Sequence, residues 1–304
     1  MMRILFGGDD PGARAALPHY FRVLDGEGEA KFLNCGTLKK KVEEAKEIRK
    51  SCHFCERRCK IDRSRGKEGF CRVLEPRVSS EFLHVGEEPE LVPSYTLFFS
   101  GCTFKCCFCQ NWDISQDPKR GVYNKPETVA KMIEDIKGIN VNWVGGDPAP
   151  NLDFILEVLT QLNRSIPQIW NSNMYLTKES MDLLGGVIDL YLTDFKYGPK
   201  DCATRLSDAP NYWKVITRNH LLAEKQGADL IIRHLVLPGH FECCTKPILD
   251  WISKNLSHPR VNVMSQYHPD YKSMQIIGLD QKLSKEEYRQ AKNYAEELGL
   301  SLTR

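Results

Sequence analysis

The stretch Phe98-Phe99-Ser100-Gly101-Cys102-Thr103-Phe104-Lys105-Cys106-Cys107-Phe108-Cys109 decides how the chain is read. Residues 96–99 are apolar, aromatic and strand-forming, and one glycine separates them from cysteines spaced Cys-x3-Cys-x2-Cys at 102, 106 and 109. Side chains at the C-terminal end of a strand lie where barrel enzymes assemble their sites. Three thiolates hold three irons of a cubane cluster and leave the fourth iron open to a substrate or cofactor, whereas four cysteines close a site. A zinc ion taking Cys107 as its fourth ligand is the plainer reading. It is disfavoured because adjacent side chains in an extended loop diverge.

Working outward, short apolar runs alternate with helical stretches from Leu97 onward. Strands are expected at 96–99, 140–144, 168–170, 187–192, 230–236 and 261–264. Helices are expected between them at 127–137 (opened by Pro126), 153–162, 178–184, 212–225 and 246–255. A last helix is capped by Ser284 and Glu287 and stopped at Gly299. Strands joined by helical crossovers describe an α/β fold, a partial (β/α)6 TIM-like barrel over residues 96–304. Residues 1–95 lack that periodicity and read as a loop-rich, cysteine-rich metal-binding module.

The chain has 304 residues, with 42 Lys+Arg against 40 Asp+Glu and 41% hydrophobic residues. That composition excludes whole-chain disorder and a charge-driven polyanion binder. No apolar run reaches the roughly 18 residues a membrane span needs, and Asp9 and Asp10 interrupt the N-terminal segment before an export signal accumulates. A cytoplasmic protein is expected, and in a reducing compartment twelve cysteines read as metal ligands or reactive thiols rather than disulfides. Cys52-x2-Cys55-x3-Cys59-x11-Cys71 supplies four thiolates for a closed site, either tetrahedral zinc or a second iron–sulfur cluster. The polar, turn-rich surroundings favour a metal that holds the segment folded.

The loop Cys102-x3-Cys106-x2-Cys109, with Phe108 before the third cysteine, resembles the signature of the radical S-adenosylmethionine (SAM) superfamily. Gly145-Gly146-Asp147-Pro148 stands where that superfamily places a Gly-Gly-Glu-like turn that receives the SAM amino group, with Asp in place of the usual Glu. The segments Cys109-Gln-Asn-Trp-Asp-Ile-Ser-Gln116, Tyr191-Leu-Thr-Asp-Phe-Lys-Tyr197, Ile232-Arg-His-Leu-Val-Leu-Pro-Gly239 and Met264-Ser-Gln-Tyr-His-Pro269 are similar to uncharacterised proteins related to pyruvate formate-lyase activating enzyme. The resemblance covers roughly residues 50 to 300. It implies a [4Fe–4S] cluster and SAM, which is cleaved reductively to a 5′-deoxyadenosyl radical that abstracts hydrogen from a protein, peptide or small molecule. It also implies a one-electron donor of ferredoxin or flavodoxin type. Asp194 and Lys196 would lie near SAM, as would the pair Tyr267 and His268.

Within that frame Asp147 suits the SAM ammonium, Lys196 or Arg233 its carboxylate, and Asn171 and Asn173 a ribose or substrate. Each has a plain structural alternative. Arg233 and His234 can be an interior ion pair and a satisfied core histidine, and Asp194 with Lys196 an internal salt bridge. Residues 49–72 carry nine Lys+Arg, which reads as a solvated face or as a docking patch for RNA or an acidic protein. The competing functions are an RNA-modifying enzyme of the same chemistry and a non-enzymatic zinc or iron–sulfur interaction module.

Overall fold

Each apolar run followed by a helix returns the chain in the same direction, so successive strands pair in parallel. The structure is a computed structural model that describes residues 10–303. Among the described residues one sheet contains β1 (Arg77–His84), β2 (Ser94–Phe99), β3 (Val122–Tyr123), β4 (Asn140–Gly145), β5 (Gln168–Ser172), β6 (Leu190–Asp194), β7 (Asp229–Leu235), β8 (Arg260–Met264) and β9 (Ser301–Leu302). Their order is β3-β1-β2-β4-β5-β6-β7-β8-β9. From β2 to β9 every pairing is parallel, while β1 runs antiparallel to both β2 and β3.

The six strands expected from the sequence are β2 and β4 to β8, so the partial parallel barrel is present. Helices Lys178–Leu184, Tyr212–Lys225 and Lys246–Asn255 have the expected bounds. Helix Lys285–Glu297 begins with a reciprocal capping box between Ser284 and Glu287, and Gly299 follows it in the left-handed region. β1, β3 and β9 carried no sequence signal. β1 lies near the sheet's open edge with half of its residues exposed, and β3 and β9 are two residues each.

Residues 10–95 hold more helix than their sequence pattern suggests. Helix Leu38–Lys50 buries Leu38, Val42, Ala45 and Ile48, a single stripe in an otherwise charged sequence, against the barrel helices Leu152–Leu159 and Lys178–Leu184. Helices Pro11–Ala16 and Pro18–Leu24 pack on the other face of the sheet. There Ala13, Ala16, Leu17, Tyr20 and Phe21 meet Ile169, Leu190, Leu192 and Ile231 in a core separate from the one beneath the crossover helices. Buried polar anchors fix this plug. Asp229 accepts from the Tyr20 amide at 2.7 Å, and Asn140 donates to the Tyr20 hydroxyl at 2.8 Å.

Leu17 is fully buried in that inner core. Leu17→Ala is expected to lower the unfolding free energy by about 2–5 kcal/mol in chemical denaturation. A change under about 0.5 kcal/mol would mean that the helix does not fill the barrel.

Candidate functional site

Cys102, Cys106 and Cys109 leave the end of β2 and line a cavity of about 240 Å³ together with Phe108, Gly145, Gly146, Asn171, Asn173, Asp194 and Lys196. These ten residues, singled out from the sequence, therefore meet at the C-terminal ends of β2, β4, β5 and β6, whereas Asp147, Arg233 and His268 do not line this cavity. Each of the three sulfurs has a hydrogen-bond donor close by. The Phe104 amide lies 3.3 Å from Cys102 Sγ, the Ser207 hydroxyl 2.9 Å from Cys106 Sγ, and the Ser115 hydroxyl 3.2 Å from Cys109 Sγ. Phe108 is buried between the rings of Tyr197 and Tyr267, and Cys107 lies outside the cavity lining.

Burial pushes the thiols upward. Cys102 is held well above the usual thiol range by burial and then by the Asp147 charge, and Cys106 is pushed to about 12 by burial and then by Cys109. Such thiols ionise when a metal replaces their protons.

The glycine turn is shaped by the backbone beneath it. Gly145 has φ 127°, and a Cβ there would stand 2.1 Å from the Phe99 carbonyl oxygen. One on Gly146 would stand 2.2 Å from the Gly101 carbonyl oxygen. Only glycine fits both positions. The amides of Gly146 and Asp147 donate to Phe99 and Gly101 at 2.8 and 3.0 Å, which locks the turn to the cysteine loop.

Asp147 sits under this turn and does not line the cavity. Its carboxylate accepts from Ser172 at 2.7 Å and from Thr103 at 2.9 Å, and burial pushes its pKa up to about 6 against those bonds. Asn173 donates to Thr103 at 2.9 Å, which leaves Asn173 and Asp147 in one buried network. Asn171 differs. It is buried, and its Nδ2 has no partner within the chain.

Lys196 pairs with Asp194, as their two-residue spacing on one strand face suggests. Burial pulls the ammonium down, yet Asp194 and Cys106 outweigh it and raise Lys196 overall. Arg233 lies outside this cavity, in an adjoining one of about 500 Å³ that shares Asn111, Val144, Asn171 and Met264 with the first. It forms ion pairs with Glu87 and Glu88, which come from the β1–β2 loop and gave no sequence signal. Glu87, although burial raises it, is held down to about 2 by Arg233 and His84. His234 is a satisfied core residue, with Nδ1 2.8 Å from Phe195 O and Nε2 2.9 Å from Thr245 Oγ1. Neighbouring Tyr267 is buried, whereas His268 is exposed and lines neither cavity.

Cys52, Cys55, Cys59 and Cys71 form a knuckle on the same rim. Phe54 and Glu56, on either side of Cys55, pair with the backbone of Thr177 and Tyr175, and Arg57 donates to the Thr103 carbonyl at 3.2 Å. Arg58 and Lys60 take the left-handed conformation, which turns the chain tightly on both sides of Cys59. Several arginines of the basic run are tied to neighbouring segments. Arg49 pairs with Asp153, Arg57 with Asp208, and Arg58 with Glu56 and Glu179, while Arg63 is buried against the Val73 and Pro150 carbonyls. Lys50, Arg58, Lys60, Arg65, Lys67 and Arg72 of the same run are exposed, so it is part internal tie and part solvated face.

The model of the radical SAM superfamily matches residues 96–252. The chain belongs to the radical SAM superfamily. An uncharacterised protein of Methanocaldococcus jannaschii, MJ0674, is 50% identical over 282 residues, covering 90% of this chain and 82% of that protein. Pyruvate formate-lyase-activating enzyme of Listeria monocytogenes is 28% identical over 156 residues, 47% of this chain and 62% of that enzyme. Among solved structures, a domain of the pyruvate-formate lyase-activating enzyme from Bacteroides vulgatus aligns with TM-score 0.46 and 21% identity, over 55% of this chain and 98% of that one.

As a radical SAM protein the chain is an enzyme, and membership brings a [4Fe–4S] cluster and SAM. The residues fit both groups. Three thiols converge on the cavity, and the unpartnered Asn171 amide stands at its wall. No helix of the described residues is long and apolar enough to cross a membrane.

Gly146→Ala is expected to push the turn off Gly101 and displace the cysteine loop. After anaerobic reconstitution it should hold less than a tenth of the parent's site iron and SAM affinity. Parent-like SAM titration would show that the backbone contact is dispensable.

Proposed function

We propose that this chain reductively cleaves SAM and passes the resulting radical to a substrate held in the cavity around Arg233, Glu87 and Glu88. A cluster held by Cys102, Cys106 and Cys109 supplies the electron and the open iron for that cleavage. The observation that carries this reading is the joining of the two cavities through Asn171, Val144 and Met264. Lys196, paired with Asp194 and facing the cysteines, is the cation placed for the SAM carboxylate. Asp147 orients the glycine turn through Ser172 and Thr103, and the turn's backbone serves the ammonium. The free Asn171 amide offers a hydrogen bond toward ribose or substrate. Arg233, Glu87 and Glu88 line the substrate side, and their interlocked charges favour a polar group able to exchange into that network, such as a peptide amide, over an apolar molecule.

We also propose that Cys52, Cys55, Cys59 and Cys71 hold a second iron–sulfur cluster. A single zinc ion sets its sulfurs about 3.8 Å apart, since its bonds are about 2.3 Å in tetrahedral array. No three of these four sulfurs fall within 4.8 Å of one another, a spacing that suits several irons. The knuckle also touches the other cysteine loop, because a methyl on Gly101 would meet the Cys71 carbonyl at 3.4 Å. That closeness suits a relay from an external one-electron donor of ferredoxin or flavodoxin type.

Anaerobic protein reconstituted with iron and sulfide, reduced and given SAM should release 5′-deoxyadenosine, and Cys102→Ala, Cys106→Ala and Cys109→Ala should each abolish release. Cluster formation without release, and without SAM binding in a titration, would overturn the reading. Reconstituted parent should hold about eight irons and Cys55→Ala with Cys71→Ala about four. About four irons plus one zinc in the parent would return the N-terminal site to a structural ion.

A further inference from the structure

Beyond both cysteine constellations, we infer a third metal site. It is a single-ion site of zinc type built from Cys202, His240 and Cys243.

Two loops at the C-terminal ends of β6 and β7 supply it. Cys202 is buried and opens the short helix Cys202–Ser207. Cys243 and Cys244 lie in the π-helical turn Phe241–Thr245, a geometry frequent at functional sites. Cys243 Sγ is 3.8 Å from Cys202 Sγ and 3.7 Å from Cys244 Sγ. A ring nitrogen of His240 completes a group in which the ligand atoms of Cys202, His240 and Cys243 all lie within 4.8 Å of one another.

The spacing identifies the ligand class. Zinc–sulfur bonds of about 2.3 Å at tetrahedral angles place two sulfurs about 3.8 Å apart, as they stand here. A disulfide requires about 2.05 Å and a single pair, whereas two sulfurs 3.8 Å apart and an imidazole gather here. The donors are soft sulfur and nitrogen with no carboxylate, which selects zinc over magnesium or calcium.

The surroundings are those of a ligating histidine. His240 Nδ1 lies 2.7 Å from the Pro238 carbonyl, so a proton held there leaves Nε2 with its lone pair. Arg205 stands 3.9 Å from Cys202 Sγ, a cation beside a future thiolate. Gly198 permits the close approach of the two loops, because a Cβ there would meet the Cys243 carbonyl at 2.1 Å.

The helix that begins at Cys202 ends at Ser207, whose hydroxyl reaches Cys106 Sγ. Lys105 and Cys107 also donate their amides to the carbonyls of Ser207 and Leu206. An ion bound by Cys202, His240 and Cys243 therefore clamps the helix supporting the radical SAM cysteine loop to the loop that follows β7. The ion is a structural tie, with no step in the chemistry.

The test uses full-length protein, anaerobically reconstituted so that its iron sites are filled, desalted with a thiol reductant and titrated with Co²⁺. The parent should bind about one cobalt per chain with thiolate-to-cobalt charge-transfer and tetrahedral d–d absorption, and one zinc should displace it. His240→Ala and Cys243→Ser should each weaken cobalt binding at least tenfold while keeping parental iron content and circular dichroism. Cys35→Ser, remote from the site, should bind as the parent does. Absence of the tetrahedral spectrum in the iron-loaded parent, or a parental titration in both His240→Ala and Cys243→Ser, would overturn the site. Mass mapping of a Cys202–Cys243 disulfide in reduced protein would overturn it too. Because the readout is cobalt, protein that releases no 5′-deoxyadenosine yet binds cobalt through His240 and Cys243 retains this site and loses only the proposed activity.

Discussion

The close docking of Gly145 and Gly146 against the end of β2 is the constraint on which the site depends. Two amide-to-carbonyl bonds and two positions where a methyl group would overlap backbone atoms hold the β4 turn against Phe99 and Gly101. Gly101 immediately precedes Cys102. The distance between the glycine turn and the three thiols is therefore set by backbone contact rather than by side-chain packing. Thr103, Ser172, Asn173 and Asp147 lock the same junction from below.

Charge is treated with the same economy. Nearly every ionised group on the inner surface has its partner: Lys196 has Asp194, and Arg233 has Glu87 and Glu88. Paired charges raise the cost of moving any one group and fix the direction each side chain faces. Asn171 Nδ2, a buried amide left unsatisfied, stands at the wall common to both cavities. A buried donor without a partner costs about 1–3 kcal/mol, which a ligand carbonyl or hydroxyl recovers.

The segment before the barrel is woven into it at three levels. Its first helices fill the inner face of the sheet, its longest helix covers an outer flank, and its cysteine knuckle sits on the rim beside the cluster loop. The basic residues around the knuckle serve that attachment, with Arg49, Arg57 and Arg58 paired to acids of the barrel. These arginine side chains reach acids more than a hundred residues away in the chain, a pairing that charge counted along the sequence does not reveal.

The sequence by itself determined the parallel barrel, the three-cysteine loop at the end of β2, the glycine turn after β4 and the pairing of Asp194 with Lys196. All of these are local patterns: strand alternation, ligand spacing within one loop, or two residues on one strand face. Tertiary structure alone decided that Asp147 is tied to Ser172 and Thr103, that Arg233 meets Glu87 and Glu88, that His234 is a core residue and that His268 is exposed. It likewise gathered Cys202, His240 and Cys243 across two loops and paired Arg49, Arg57 and Arg58 of the basic run with acids of the barrel. The physical reason is that short-range spacing fixes which face a residue occupies, whereas the partner that satisfies a buried charge or thiol is chosen by how distant segments pack.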